Sequence, residues 1–363
     1  MVGFQQLGTK ELNESSESMS DPTLNPFDAS VPGPADQRSA QATMPPKAKP
    51  RAWTSFVVLV LSIGCWVGAS FAMMSLAVIV VHGVPTKEMI QDWGGTMKAV
   101  FQSRIGLLML IVAPQAFLVL PALCAAWLSP VPLKQRLGLV RGHWPLWVWA
   151  VAVLATPVVG FISSSLVNLL PGESASLEQM GEMFRQHRDF MIPLAMLIGL
   201  TPAFCEEILF RGYIQTRLVK SWGPLVAILV ASAAFAAAHL DFKHALAVFP
   251  LGIYLGLVSW RSGSLLPAMA AHFFNNCLGV LLMVLAPENL EQVQEMSPEE
   301  IARDPSLVAL SLIILGAVVC GLPSLLASIW AMVAYRMPES EADSEVEAAA
   351  AMASHQDHPT TLN

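Results

Sequence analysis

At residues 204–211 the chain reads Phe-Cys-Glu-Glu-Ile-Leu-Phe-Arg, inside the largely apolar segment 191–218. This places Glu206, Glu207 and Arg211 in a predicted membrane-spanning helix. An ionised side chain within a bilayer costs about 2.5–3.5 kcal/mol on insertion scales. A chain that keeps three of them so close together is predicted to use them, so the stretch indicates both a transmembrane helix and a functional site.

The composition predicts an all-α polytopic membrane protein. The 363 residues are 54% hydrophobic and 13% charged, whereas soluble domains carry about 25% charged residues, and the mean hydropathy is +0.55. Runs of about 20 apolar residues are long enough to cross a bilayer. They predict a bundle of about eight transmembrane helices, at 54–81, 105–128, 146–170, 191–218, 222–240, 245–261, 264–286 and 307–335.

The remaining sequence divides the chain into five regions. Polar composition without an apolar run predicts disordered tails at 1–50 and 337–363, the second of them acidic. Between them we expect N-terminal transmembrane helices and an acidic loop (51–189), a transmembrane core (190–290), and an acidic loop with the last transmembrane helix (291–336). Apolar residues at helical spacing in 173–189 predict a helix that either lies along the membrane surface or simply connects two spans.

The distribution of charged residues predicts the orientation of the chain in the membrane and argues against a nucleic-acid partner. The formal net charge is −7, but the acidic residues cluster in tails and loops and indicate no nucleic-acid partner. Basic residues favour cytoplasmic loops, and they precede the first span and follow the second. Both termini are therefore predicted to lie in the cytoplasm of an integral, multi-pass membrane protein, which in a bacterium would be an inner-membrane protein.

The two carboxylates of the stretch are predicted to differ. Glu207 and Arg211 are four positions apart, so on an α-helix they share a face and can form a structural ion pair. Glu206 points about 100 degrees away and has no local counterion. A carboxylate in apolar surroundings holds its proton more readily than one in water, which makes Glu206 a candidate general base near neutral pH.

Two further predicted spans each carry one histidine. The first motif is Phe235-Ala-Ala-Ala-His239, and the second is His272-Phe-Phe-Asn-Asn276. These are the only histidines within the predicted spans, and His272 and Asn276 lie one helical turn apart. Polar residues inside a bundle often only join helices, but Glu206, His239, His272 and Asn276 together could supply a base, a proton carrier and donors to an oxyanion.

The order Glu-Glu-x-x-x-Arg, Phe-x-x-x-His and His-x-x-x-Asn resembles the CPBP family, which comprises CAAX prenyl endopeptidases and bacteriocin-processing (Abi) proteins. The resemblance covers about residues 190–290. It implies an intramembrane endopeptidase with an active-site cavity in the bilayer, acting on a peptide or membrane protein that can be lipidated. In this resemblance Glu206 and His239 hold the attacking water, and His272 and Asn276 stabilise the oxyanion.

Several alternatives stay open from the sequence. No cofactor is required, but Glu206, His239 and His272 could instead hold zinc with an open water position. An ion- or proton-coupled transporter could use the same charges, and a non-catalytic scaffold of the family could keep the same pocket. The predicted spans also place His239 at the outer end of 222–240, away from the depth of Glu206.

Overall fold

The computed structural model describes residues 51–172, 174–287 and 290–335, and all regular elements there are helical. The predicted disordered tails therefore lie outside the described residues. A π-helix (Ile208–Gln215) and a 3₁₀ turn (Arg188–Phe190) accompany the α-helices. The α-helices are α1 (Trp53–His82), α2 (Lys87–Gln91), α3 (Trp93–Gln102), α4 (Arg104–Trp127), α5 (Leu133–Arg136), α6 (Leu146–Val167), α7 (Ala175–Gln186), α8 (Met191–Glu207), α9 (Thr216–Trp222), α10 (Pro224–Ala237), α11 (Phe242–Ser262), α12 (Leu266–Leu285), α13 (Leu290–Glu295), α14 (Pro298–Arg303) and α15 (Pro305–Ala334).

The long helices confirm the predicted all-α polytopic membrane protein. Seven segments of the described chain are long and apolar enough to cross a membrane: α1, α4, α6, the continuous run Arg188–Trp222, α11, α12 and α15. They correspond to seven of the eight predicted spans. The chain is accordingly an integral, multi-pass membrane protein.

The fifth predicted span, 222–240, is shorter than expected. It forms α10, which has 14 residues, about 21 Å of helix against a hydrocarbon core of about 30 Å. Pro224 at the first turn begins the helix after Gly223, whose φ is +81°. Just beyond the helix Leu240 has a φ of +60°, an uncommon conformation for a bulky residue. His239 therefore lies just past the end of a short helix.

The sixth predicted span, 245–261, is longer than expected. It corresponds to α11, which begins at Phe242 because Asp241 caps it: the Asp241 carboxylate accepts a hydrogen bond of 2.8 Å from the His244 backbone N–H. Side-chain acceptors of this kind satisfy one of the free N–H groups of a first helical turn. His244 is thereby brought into the helix.

The central span changes helical type where the charged stretch ends. α8 ends at Glu207, and the next eight residues form the π-helix before α9 continues the same run. All eight π-helical residues are buried, packed with residues of α4 and α10 such as Leu118, Val119 and Phe235. π-Helical segments are rare in proteins, and those that occur are often found at functional sites.

The acidic loop contains a short helix that packs on the bundle. In α7 the Phe184 side chain is buried, and it lies in one apolar cluster with Leu107 of α4 and with Val280 and Val284 of α12. Its last turn leads into His187, whose Nε2 lies 2.8 Å from the Phe101 carbonyl oxygen. These contacts place one face of α7 against the bundle.

At the opposite end, backbone contacts fasten the α5–α6 connection to the α11–α12 connection. The Leu265 N–H donates to the Gly138 carbonyl (2.7 Å), and the His143 N–H donates to the Ser262 carbonyl (3.1 Å). Gly142 lies so close that a Cβ atom there would be 2.3 Å from the Ser262 oxygen, and its φ is +67°. The approach of the two connections thus requires glycine at this position.

Candidate active site

The two carboxylates at the end of α8 lie in different environments. Glu207 is fully buried, whereas 13% of the Glu206 side chain is exposed. Both approach one imidazole, that of His272 on α12. The structure therefore brings Glu206, Glu207 and His272 together from two helices that are far apart in sequence.

Arg211 neutralises Glu207 and ties the π-helix to its neighbours. Its Nη1 donates to Glu207 Oε1 at 2.7 Å, and both side chains are fully buried. Its Nη2 donates to the Gly252 carbonyl of α11 at 3.1 Å, and the guanidinium lies 4.4 Å from the centre of the Phe235 ring. A Cβ atom on Gly252 would come within 3.4 Å of Nη2, so glycine permits this close packing.

One turn further along, Gln215 repeats the contact with α11. Its Nε2 donates to the Gly256 carbonyl at 2.9 Å, and a Cβ atom on Gly256 would lie 2.7 Å from the Gln215 oxygen. Arg211 and Gln215 thus bond to two carbonyls that are one turn apart on α11. The two bonds hold the π-helix against α11.

His272 is held between the two carboxylates. Its Nδ1 lies 2.9 Å from Glu207 Oε1, and its Nε2 lies 3.9 Å from Glu206 Oε2. The first distance is a hydrogen bond, which fixes the orientation of the ring and aims Nε2 at Glu206. The second is longer than a hydrogen bond, and a separation of this size can be bridged by one water molecule.

His239 is positioned by Phe235 rather than by a carboxylate. Its Nδ1 lies 3.1 Å from the Phe235 carbonyl oxygen, and because a carbonyl only accepts, Nδ1 carries the proton. In the neutral ring Nε2 is then a free acceptor. The Phe235 ring lies 5.1 Å from the His239 ring and 5.8 Å from the His272 ring, so it contacts both histidines. No hydrogen bond joins His239 to Glu206.

Asn276 follows His272 by one turn of α12 and is half-buried. Its side chain makes no hydrogen bond with any residue that the structure describes, so its amide is free to donate. The neighbouring Asn275 faces away, with its Oδ1 placed 3.2 Å from where a Cβ atom on Gly160 would lie. The two adjacent asparagines therefore face different surroundings.

Two polar residues at this site were missed from the sequence. Gln115 of α4 donates from Nε2 to Glu206 Oε1 at 3.1 Å, and its own Oε1 is buried without a partner in the described part of the chain. His244 lies with its ring 4.5 Å from the ring of His239. In the sequence, Gln115 is a single amide within an apolar span, and His244 is a histidine one residue before a predicted span.

The arrangement does not form a ready-made metal site. In the described residues, no three His, Cys, Asp or Glu side chains lie close enough to hold one ion. His272 Nδ1 is engaged with Glu207, and His239 Nδ1 with a backbone carbonyl. These bonds leave Nε2 of both rings free, as in histidines that bind metals, so the alternative zinc set of Glu206, His239 and His272 stays a prediction.

Comparison with known proteins identifies a family for the central part of the chain. Residues 188–278 match the family model described as type II CAAX prenyl endopeptidase Rce1-like, which confirms the resemblance drawn from the three motifs. No curated protein and no solved structure matches the chain. At the level of the family, the match supports a CAAX-type intramembrane protease, a bilayer-embedded hydrolase with a peptide or protein substrate.

Proposed function

We propose that the Rce1-like segment 188–278 hydrolyses a peptide bond near the end of a membrane-associated protein or peptide, with a water molecule activated by Glu206. The observation that carries the proposal is the facing pair of Glu206 Oε2 and His272 Nε2, 3.9 Å apart at a partly exposed carboxylate. A water molecule bonded to both atoms would be next to a base and to a donor. Glu207 cannot play this part, because it is fully buried and already holds Arg211 and His272.

In the proposed cycle Glu206 takes a proton from the water while the water oxygen attacks the carbonyl carbon of the substrate. The new C–O bond turns the carbonyl oxygen into an oxyanion. His272 Nε2–H and the amide of Asn276 donate to that oxyanion. The C–N bond then breaks and Glu206 returns its proton to the leaving nitrogen, releasing an amine and a carboxylic acid.

His239 and His272 have different roles in this cycle. His239 accepts a hydrogen bond from the water at Nε2, since its Nδ1–H is engaged with the Phe235 carbonyl. In this cycle His272 carries protons on both ring nitrogens: Nδ1–H donates to Glu207 Oε1, and Nε2–H donates to the oxyanion. The cycle uses no metal ion.

A groove beside His239 supports a substrate with an apolar group. It has a volume of about 430 Å³ and lies between the end of α10 and the start of α11, the two helices that flank His239. Apart from Asp241 its lining is apolar: Ala233, Ala236, Ala237, Leu240, Phe242, Ala245, Leu246 and Phe249. Such a surface would hold a lipid chain attached to the substrate near the cleaved bond.

Matched peptides test this proposal. Two peptides with the same Cys-aliphatic-aliphatic-X ending, one prenylated on the cysteine and one not, are incubated with the full-length protein in lipid nanodiscs. We expect release of the last three residues from the prenylated peptide only, at the same rate before and after treatment with a chelator. Equal cleavage of both peptides would contradict a lipid-binding groove, and cleavage of neither would contradict the proposed substrate class.

Gln115 is expected to orient Glu206. Its N–H donates to the carboxylate, and hydrogen bonds to charged groups are worth about 1.5–3 kcal/mol. Gln115→Leu removes this bond and should therefore lower kcat/KM for peptide hydrolysis about tenfold. Gln115→Glu replaces the donor with a second carboxylate beside Glu206 and should lower kcat/KM further. Parental kcat/KM in both variants would show that Gln115 has no such influence.

A further inference from the structure

One end of the helix bundle is basic and has no acidic residue in the described chain. This basic end consists of the start of α1, the α4–α6 connection, α9 with its connection to α10, the α11–α12 connection and the end of α15. Its basic residues are Arg51, Lys134, Arg136, Arg141, Arg217, Lys220 and Arg261. The described Asp and Glu residues other than Glu206 and Glu207 all lie in the connections at the opposite end.

Exposed tryptophan side chains indicate that the basic end meets a membrane surface. Exposed indoles occur near the ends of five helices there: Trp53, Trp127, Trp147, Trp222 and Trp330. Trp222 also contacts Phe56, with ring centres 5.7 Å apart, which joins α9 to the start of α1. Tryptophan concentrates where bilayer and water meet, so the basic side chains lie at the level of lipid headgroups.

Two arginines at this end, Arg136 and Arg217, have no acidic partner among the described residues. The Arg217 guanidinium lies 4.5 Å from the centre of the Tyr213 ring, and its Nη1 donates to Thr54 Oγ1 at 3.2 Å. Its Nε is buried with no partner among the described atoms. The segment that carries Arg136 packs on the same helical run: Leu137, the next residue, lies in one apolar cluster with Tyr213 and Leu218, and its carbonyl oxygen would lie 3.0 Å from a Cβ atom on Gly212. Burial, and then the charge of Arg217, lower the pKa of the Arg136 guanidinium. Two like charges held together in this way favour an anion beside them.

We propose that Arg136 and Arg217 bind the phosphate group of an anionic phospholipid headgroup. The planar guanidinium presents paired N–H donors that match phosphate oxygens. Basic pockets at the headgroup level are suited to anionic lipids. The bound phosphate supplies the negative charge that the described protein lacks at this end, and it fastens α5 and α9 together.

The test measures thermal unfolding of the full-length protein in detergent as short-chain phosphatidylglycerol is added. We expect the Tm to rise with phosphatidylglycerol and not with phosphatidylcholine. In Arg136→Gln and in Arg217→Gln the concentration that gives half the rise should increase about fivefold each. The matched control Lys98→Gln, which removes a basic charge from the opposite end, should leave that concentration unchanged.

Two results would overturn the proposal. The first is the same dose response in Arg136→Gln as in the parent. The Arg136 side chain makes no hydrogen bond or ion pair with a described residue, so Arg136→Gln is expected to fold. It therefore decides the question even if Arg217→Gln does not fold. The second is an equal rise of Tm with inorganic phosphate at the same concentration, which would assign the site to free phosphate instead of lipid.

Discussion

Glu206→Gln is expected to lower kcat/KM for peptide hydrolysis about 10²–10⁴-fold, the range that a general base contributes, while the protein stays folded and inserted. Glu206 is the one carboxylate of the pair that is partly exposed, and its Oε2 faces His272 Nε2. Glutamine keeps the shape and can still accept the hydrogen bond from Gln115. It cannot take a proton from water, so only the rate of the chemical step should fall.

The matched control for this variant is Glu178→Gln, a change of the same type at an exposed position of α7. It should leave both kcat and KM unchanged. Thermal melts of both variants in detergent separate a loss of catalysis from a loss of fold. Full activity of Glu206→Gln, at parental stability, would exclude Glu206 as the base.

The spacing of the charged residues allowed much of this site to be anticipated. Glu207 and Arg211 are four positions apart, and side chains at that separation meet on a helix whatever surrounds them. His272 was expected near Glu206 because polar residues in apolar spans rarely face lipid. The long apolar runs likewise predicted seven of the membrane helices, since length and composition decide that property.

Other features depend on packing and not on local pattern. Gln115 is 91 positions from Glu206, and a lone amide in an apolar span gives no sign of its partner. The π-helix differs from an α-helix in its backbone hydrogen bonds, which the side-chain pattern of 208–215 does not specify. The sequence also predicted only part of the role of Glu207. It was predicted as a structural partner of Arg211, but it additionally bonds to His272.

Arg211→Met is expected to destabilise the protein by about 3–5 kcal/mol, because it leaves Glu207 ionised and buried without its partner. Methionine is similar in length but supplies neither the bond to Glu207 nor the one to the Gly252 carbonyl. The double variant Glu207→Gln with Arg211→Met carries no such charge. It should be more stable than Arg211→Met alone, as measured by the Tm in detergent.

The same variants separate stability from catalysis. If Glu207 serves only Arg211, the double variant should regain activity in proportion to its regained stability. Because Glu207 Oε1 also bonds to His272 Nδ1, we expect activity to stay below that of the parent, since a glutamine amide holds the ring less firmly than a carboxylate does. A double variant with parental activity would show that His272 needs no carboxylate to aim Nε2 at Glu206. A double variant no more stable than Arg211→Met would contradict the ion pair as the reason for the instability.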